Sequence, residues 1–355
     1  MATILESTHQ YENWLREQLH GEVFKQDLAK KHEKMRESAF VFLRATYWRW
    51  AETIFDVCPD LASGTPVLAV GDIHLENYGT WRDVDGRLAW GVNDFDEAAE
   101  MPYGIDLVRL AASAVLGRGR RRITHEEICA AILKGYREGV FAPRPVVLDR
   151  DWLWLRELVV VSEKERTKFW EKMAAVRGTS APERYLTAIV DAMPVPRLSV
   201  KTARRSAGTG SLGRPRWVGV ADWRGAPIVR EAKALVTSAW SRAHGHNNRK
   251  VRSSEIANGR YRPLDPWYQI ENNVVVRRLS PNNRKIEVEE GKSPLFTRDM
   301  LEMMGFELAN VHLGTAECRH AVKQDLEKRK RGWLTANAMK ALNATTQEYN
   351  DWKAN

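Results

Sequence analysis

The hydrophobic pattern changes from helical to strand-like and back along the chain. The first fifty-odd residues carry apolar side chains at helical spacing, with Ser7 or Thr8 as the expected cap of the first helix. The short apolar run Val67–Val70 is bounded by turn residues and predicts a strand. A second pair of strands is expected around Trp81–Val92, and Ile105–Leu116 is apolar on most faces, which predicts a buried helix.

The middle of the chain has a different pattern. From Ser199 to about Val288 short β-rich runs alternate with turns, whereas Phe296–Asn355 returns to helical spacing. We therefore predict an α+β protein with two lobes, one of them discontinuous in sequence. The expected segments are a helical lobe at 1–198, a β-rich lobe at 199–292 and returning helices of the first lobe at 293–355.

Composition fits a folded protein. With 355 residues, of which 43% are hydrophobic and 28% charged, the chain exceeds the usual size of one core and resembles neither disordered nor fibrous proteins. Its three cysteines, Cys58, Cys129 and Cys318, are odd in number and far apart, which argues against a disulfide framework. Met1–Phe24 lacks the apolar core of a signal peptide, and nowhere do eighteen apolar residues run together. We therefore expect a cytoplasmic protein with no membrane partner.

The formal net charge of +9 favours an anionic partner, which could be a nucleotide, a phosphorylated metabolite, nucleic acid or a membrane surface. Charge alone does not choose among these. The basic clusters Arg118–Arg122 and Lys328–Arg331 are most simply solvated loop or helix ends, so we do not expect nucleic acid to be the partner.

Two polar loops, each after a predicted strand, carry the strongest chemical signal. They are Gly71-Asp72-Ile73-His74-Leu75-Glu76-Asn77 and Val92-Asn93-Asp94-Phe95-Asp96. Phosphoryl transfer needs an aspartate that accepts the proton of the attacking hydroxyl, and an asparagine and a second aspartate that hold Mg²⁺. Asp72 and Asn77 have the spacing of the kinase catalytic loop, in which the asparagine lies five residues beyond the aspartate.

Asp94 is then the expected second metal ligand, with Asp96 as the alternative. Taken singly, each of these residues is typical of a turn, but the two motifs in this order favour a catalytic site. His74 is expected to support the loop by hydrogen bonding rather than to titrate during the reaction.

A glycine-rich loop, Gly208-Thr209-Gly210-Ser211-Leu212-Gly213, opens the β-rich part. Strands are expected after it at 217–220 and 227–230, the second ending at Arg230, with Lys233 three residues further on. In kinases the backbone amides of such a loop cover the nucleotide phosphates and a basic residue on a following strand pairs with them. The candidate nucleotide-binding residues are therefore Gly208, Gly210, Ser211, Gly213, Arg230 and Lys233, and a flexible hairpin with no ligand is the alternative.

Together these segments resemble the bacterial domain-of-unknown-function family 2252, a kinase-like family related to aminoglycoside and choline phosphotransferases. The resemblance covers most of the chain and depends on the motifs Gly-Asp-x-His-x-x-Asn and Asn-Asp-Phe-Asp-Glu-Ala. It implies a protein-kinase-like two-lobe fold and an ATP- and Mg²⁺-dependent phosphotransferase. It also implies that Asp72 is the catalytic base, that Asn77 and Asp94 are the metal ligands, and that Asp106 is a buried acid bracing the catalytic loop.

Two features depart from that pattern. Arg230 stands where the family has lysine, so a nucleotide-binding pseudoenzyme remains an alternative. Because strand residues alternate sides, we expect Arg230 to point into the nucleotide cleft and Lys233 to lie outside it. The catalytic loop also precedes the glycine loop, which implies a circularly permuted chain in which helix 300–313 packs under the catalytic loop and strand 274–279 lies beside the Arg230 strand.

Other functions also fit parts of the sequence. Asp72-Ile73-His74 resembles the Asp-x-His of calcineurin-like phosphatases and His244-Gly245-His246 their late histidine segment, although the expected Gly-Asp-x-x-Asp and Gly-Asn-His-Glu segments are absent. A pseudokinase or a basic scaffold is the non-enzymatic alternative. Phosphoryl and nucleotidyl transfer both fit the kinase-like motifs, and the acceptor is open to small molecules and proteins.

Overall fold

The chain is a mixed α+β protein, seen in a computed structural model that describes residues 2–245, 250–283 and 296–355. The helices are α1 Ile4–Gln18, α2 Lys25–Lys34, α3 Ala39–Ala45, α4 Tyr47–Val57, α5 Tyr103–Gly117, α6 His125–Phe141, α7 Leu153–Val159, α8 Glu163–Ala174, α9 Glu183–Asp191, α10 Ala239–Ala243, α11 Ser253–Ala257, α12 Arg298–Leu313, α13 Arg319–Lys328 and α14 Trp333–Ala354. The strands are β1 Pro66–Ala69, β2 Tyr78–Arg82, β3 Leu88–Val92, β4 Ala99–Pro102, β5 Lys201–Arg204, β6 Arg216–Trp223, β7 Ala226–Ala234, β8 Gln269–Glu271 and β9 Val274–Leu279.

The first helix begins earlier than its sequence pattern predicts. Thr3 caps α1 by accepting a hydrogen bond from the backbone N–H of Glu6, whose carboxylate accepts one from Thr3 in return. Ser7 and Thr8 are instead buried inside the helix, where the Thr8 hydroxyl donates to the Ile4 carbonyl at 2.7 Å. The cap predicted at Ser7 or Thr8 is therefore wrong, since the helix had begun a turn before these hydroxyls.

Two short antiparallel strand pairs lie among the helices and present the polar loops. β1 pairs with β4, and β2 pairs with β3. The strand predicted at Val67–Val70 and the strand pair predicted around Trp81–Val92 are both confirmed, within a residue or a few residues. Buried helix α5 follows directly and carries three buried polar residues, Asp106, Arg109 and Ser113, along an otherwise apolar sequence.

A five-stranded antiparallel sheet forms the β-rich part, in the order β5-β6-β7-β9-β8. The prediction that strand 274–279 lies beside the Arg230 strand is confirmed, because Arg230 on β7 is paired with Arg278 on β9. The short helices α10 and α11 were not predicted within this region, and Val288 lies outside the described residues. The lobe boundaries at 198 and 292 stay a prediction.

Helices from both ends of the chain complete the helical part. α14 packs on α5 and α3, and α12 packs on α6 and on β1. α2 contacts the glycine loop directly, since the backbone N–H of Phe24 donates to the Gly213 carbonyl at 3.1 Å. Within the described ranges, no helix has the length and apolar character needed to cross a membrane.

Candidate active site

A buried carboxylate anchors the loop that leaves β1. Asp106 accepts hydrogen bonds from the backbone N–H groups of Val70 and Gly71, at 2.7 and 3.0 Å. His312 Nε2, on α12, lies 3.1 Å from the same carboxylate, and the Tyr136 hydroxyl lies 2.9 Å from His312 Nδ1. Since all three side chains are fully buried, this chain of contacts fixes the position at which the loop begins.

Asp72 follows at the start of the loop. Gly71 turns the backbone with a φ of +79°, and a Cβ there would lie 2.5 Å from the carbonyl oxygen of Glu97, so only glycine fits. The guanidinium of Arg109 donates to Asp72 Oδ1 at 2.5 Å. Burial raises the pKa of Asp72 to about 6, although the charge of Arg109 opposes the shift. At neutral pH Asp72 is therefore ionised but more basic than an exposed aspartate.

Asn77 links the two polar loops. Its side-chain amide donates to the carbonyl of Asp72 at 3.2 Å and to the carbonyl of Asp94 at 3.1 Å. Asn77 Oδ1 is buried and, among the described residues, accepts no hydrogen bond. A buried acceptor without a donor is costly unless a ligand or solvent satisfies it. The loops thus present a fixed amide oxygen next to Asp94.

Lys233 reaches the second loop from the sheet. Its ammonium lies 3.6 Å from Asp94 Oδ1 and also forms an ion pair with Asp96. Burial lowers the pKa of Lys233, and the two carboxylates oppose that shift. The Lys233 ammonium therefore faces the loop that carries Asp94 and Asp96.

Arg230 lies on the other face of β7. Its Nε donates to the Ala192 carbonyl at 2.8 Å, and its guanidinium stacks 4.1 Å from the centre of the Trp267 ring. Arg230 therefore points away from the polar loops and Lys233 points toward them, which is the reverse of the prediction. Strand alternation places the two residues on opposite faces, as predicted, but the packing of β7 against α9 and Trp267 turns the Arg230 face away from the polar loops.

The glycine loop lies against the Gly71–Asn77 loop. A Cβ on Gly210 would come within 3.0 Å of the Arg44 carbonyl and 3.1 Å of Asp72 Oδ2, so the two loops approach closely at this glycine. Ser211 is held from the sheet, because Arg216 donates to its hydroxyl at 2.7 Å. The sequence-predicted loop and the sequence-predicted base thus meet in space.

One small pocket, with a cavity volume of about 50 Å³, contains most of the predicted residues. The predicted residues lining it are Asp72, His74, Asn77, Asp94, Asp96, Gly208, Gly210 and Ser211. Among the other predicted residues, Lys233 reaches its wall through Asp94 and Asp96. Gly213, Arg230 and Asp106 do not line it.

Several residues in or beside the pocket had no counterpart in the sequence prediction. Arg214 donates to Glu97 Oε1 at 2.5 Å and to the Tyr11 hydroxyl at 3.2 Å. Lys31, buried on α2, donates to the carbonyl of Gly210 at 2.9 Å. Glu97 belongs to the Asn-Asp-Phe-Asp-Glu-Ala motif and could have been identified from it, but the positions of Tyr11 and Lys31 depend on tertiary packing.

The two histidine predictions have different outcomes. His74 Nδ1 accepts the backbone N–H of Glu76 at 3.1 Å, which is the supporting contact expected of it. His244 packs against Trp240, and its Nε2 lies 2.8 Å from the Ala51 carbonyl, away from the pocket. His246 lies outside the described residues. The placement of His244 does not support the phosphoesterase alternative.

The oxygen atoms of Asn77 and of the neighbouring carboxylates are ligands that fit a hard divalent cation. Oxygen ligands suit Mg²⁺, which usually takes one or two protein ligands and completes its shell with water and phosphate. Across residues 2–245, 250–283 and 296–355, no group of three or more His, Cys, Asp or Glu side chains could hold a metal without such help. The unsatisfied Asn77 Oδ1 beside Asp94 nevertheless suits a site completed by a phosphate ligand.

Family comparison places the chain in a bacterial group. A family model described as an uncharacterized protein conserved in bacteria (DUF2252) matches residues 24–177 and 156–355, so the chain belongs to this family. Searches of curated proteins and of solved structures found no match.

Proposed function

We propose that this protein is an ATP- and Mg²⁺-dependent phosphotransferase with a circularly permuted kinase-like fold. The observation that carries the proposal is the convergence of Asp72, Asn77, Asp94 and the Gly208–Ser211 loop on one pocket. In-line phosphoryl transfer requires a base, metal ligands and a phosphate-covering loop around one reacting phosphate. Because these residues are far apart in sequence, no local structure brings them together.

The surrounding elements support the same conclusion. The glycine loop joins the antiparallel strands β5 and β6. The next strand, β7, carries Lys233 one residue before its end, directed at Asp94. The loop bearing Asp72 is braced by Asp106 and by His312 of α12. A kinase-like arrangement explains both features, with the sheet as the nucleotide lobe and the helices as the catalytic lobe.

Each residue then has a distinct role. Asp72 accepts the proton of the attacking acceptor hydroxyl, and Arg109 holds its carboxylate in place. Lys233 and the amides of the glycine loop bind the phosphates of ATP. Asn77 Oδ1 and Asp94 would hold Mg²⁺, with Asp96 as the nearest alternative acid. Mg²⁺ in this position would neutralise phosphate charge and orient the transferred group.

The position of Lys233 weakens the argument for a pseudoenzyme. That alternative arose from Arg230 in the place of the family's lysine, but Arg230 packs on Trp267 while Lys233 faces the acidic loop. A cation of the expected type therefore lies at the proposed phosphate site. We place the enzyme in the cytoplasm, where ATP is available and where the buried thiols of Cys58 and Cys129 stay reduced.

Titration with ATP tests the proposal, with thermal unfolding as the measurement of binding. We expect ATP to raise the melting temperature, Mg²⁺ to increase that shift, and Asp94→Asn to abolish the Mg²⁺-dependent part. Asp222→Asn, an exposed aspartate on β6, is the matched control and should behave as wild type. Absence of any ATP effect on the wild-type protein would remove the nucleotide from the proposal.

Mass analysis after incubation with ATP and Mg²⁺ separates the two transfer reactions. We expect the protein or an added hydroxyl acceptor to gain the mass of a phosphoryl group. Gain of a nucleotidyl group would retain the nucleotide site but replace phosphoryl transfer with nucleotidyl transfer. An equal Mg²⁺ effect in the Asp94 variant would assign the metal to Asp96 or to another acid.

A further inference from the structure

A second pocket opens on the other side of the Asn93-Asp94 segment. Its cavity volume is about 130 Å³, larger than that of the pocket around Asp72. Asn93 lines this second pocket, whereas its neighbour Asp94 lines the first. The end of β9 and the N-terminal hairpin β2–β3 supply its walls, so the pocket lies where the sheet meets the helical part.

Positive charge dominates this second pocket. Four arginines, Arg205, Arg262, Arg277 and Arg278, line it together with a single carboxylate, Asp265, among the described residues. Burial lowers the pKa of Arg205 to about 10, and the charge of Arg277 adds to the shift. Arginines keep their proton at neutral pH even after such shifts, so they repel one another here.

Buried acids behind the pocket only partly offset this charge. Glu231, fully buried, accepts contacts from Arg205 and Arg277 and also from Arg216. One carboxylate therefore serves three guanidinium groups. Arg278 instead donates to the carbonyl of Arg82 at 3.3 Å, which supplies no charge. Buried Glu307 also lies 3.9 Å from Arg262. Among these described residues the arginines Arg205, Arg216, Arg262, Arg277 and Arg278 still outnumber the carboxylates Asp265, Glu231 and Glu307.

Residues that line this pocket also carry buried hydrogen-bonding atoms without a partner. Nε of Arg205 and Nε of Arg278 are buried, and neither donates to any described residue. Oδ1 of Asn93 and Oδ1 of Asn283 are buried acceptors that are likewise unsatisfied within the described ranges. Native proteins leave few such atoms without a partner, and the two guanidinium donors are of the kind that an anionic oxygen satisfies, whereas the two amide oxygens would need a donor such as water.

We propose that this second pocket binds a phosphate group of a phosphate-bearing ligand. Several convergent guanidinium groups suit phosphate because their forked N–H donors match the phosphate oxygens. Phosphate also carries more negative charge than a carboxylate, so it offsets more of the arginine charge. The phosphate belongs either to the nucleotide itself or to a phosphorylated acceptor. The proposal does not depend on phosphotransferase activity, since neither Asp94 nor Mg²⁺ takes part in this binding.

Isothermal titration with inorganic pyrophosphate, without Mg²⁺ and at low salt, tests the proposal on the full chain. We expect binding to the wild-type protein and a loss of affinity of about ten- to a hundredfold in Arg278→Met, which removes charge-assisted hydrogen bonds. Arg205→Met should show a loss of the same kind. Arg150→Met is the matched control, since that side chain is 90% exposed on a loop, and should bind as wild type.

Further variants keep the outcome interpretable. Arg278→Lys retains the charge and should bind with intermediate affinity, which guards against a fold defect in the methionine variant. Asp94→Asn should bind pyrophosphate normally even if it abolishes phosphoryl transfer, which separates this pocket from the proposed function. Unchanged affinity in both Arg278→Met and Arg205→Met, or no binding to the wild-type protein, would overturn the proposal.

Competition with ATP identifies the source of the phosphate. Displacement of pyrophosphate by ATP assigns the pocket to the phosphates of the nucleotide. Simultaneous binding of both ligands assigns it to a phosphorylated acceptor. Either result supports a phosphate site at this position, and each names a different ligand for it.

Discussion

At the scale of single residues, Asp72 illustrates how burial sets reactivity. Its carboxylate is held by Arg109, which is itself fully buried between the rings of Tyr47 and Trp50, at 5.0 and 5.1 Å from their centres. Removal from water disfavours the charged form, while the guanidinium favours it. The balance raises the pKa of Asp72 to about 6, which is close to the range useful for a general base.

The pH dependence of turnover tests this role of Asp72. Because only the ionised carboxylate accepts a proton, turnover should fall as the pH drops through about 6. Asp72→Asn should lose roughly 10²–10⁴ of turnover and should also lose this acidic limb, with ATP binding nearly intact. Unchanged turnover in the variant would remove Asp72 from the mechanism.

Lys233 and Arg230 provide a second test at the same scale. Lys233→Met should weaken ATP binding by about tenfold or more, because a charge-assisted contact with phosphate is lost. Arg230→Lys keeps the cation that faces Trp267 and should bind ATP as wild type. Titration of both variants by thermal unfolding is the measurement. A larger loss in the Arg230 variant than in the Lys233 variant would restore the original assignment.

At the scale of elements, sequence reasoning succeeded where chemistry was local. The two polar loops, the glycine loop and the strands around them could be predicted because each is a short run with its own signal of turn residues and apolar bounds. The face of β7 could not be predicted in the same way. Alternation separates Arg230 from Lys233, but only the packing of α9 and Trp267 decides which of them turns toward Asp94.

The close approach of the glycine loop to the Gly71–Asn77 loop is testable through Gly210. A Cβ there would lie 3.1 Å from Asp72 Oδ2, so Gly210→Ala should push the loop aside and lower turnover by about tenfold, since small misplacements at the reacting centre are costly. Gly178→Ala is the matched control because a Cβ at Gly178 would meet nothing within 4 Å. Steady-state kinetics and melting temperatures of both variants are the measurements. Equal turnover in the two variants would show that the loops do not cooperate.

At the scale of the whole molecule, the N-terminal helices close the cleft between the two polar loops and the glycine loop. Tyr11 of α1, Lys31 of α2 and Trp48 of α4 pack together, with the Lys31 ammonium 4.6 Å from the centre of the Trp48 ring. The cavity of about 50 Å³ that remains is far smaller than the roughly 300 Å³ or more of a typical ligand site. Binding of a triphosphate therefore requires the glycine loop or these helices to move. No local sequence pattern predicts the hydrogen bond from Lys31 to the Gly210 carbonyl, because the two residues are 179 positions apart.

Lys31 provides one of the contacts through which these helices hold the glycine loop. Its ammonium donates to the Gly210 carbonyl, and burial lowers its pKa to about 7. Lys31→Met removes the donor but fills a similar volume, so the loop should loosen without a large loss of stability. Hydrogen exchange read by mass spectrometry should show faster exchange at residues 208–213 in this variant. Lys30→Met, an exposed neighbour on the same helix, should exchange as wild type. Faster exchange confined to α2, with the loop unchanged, would show that Lys31 supports its own helix and does not hold the loop over the cleft.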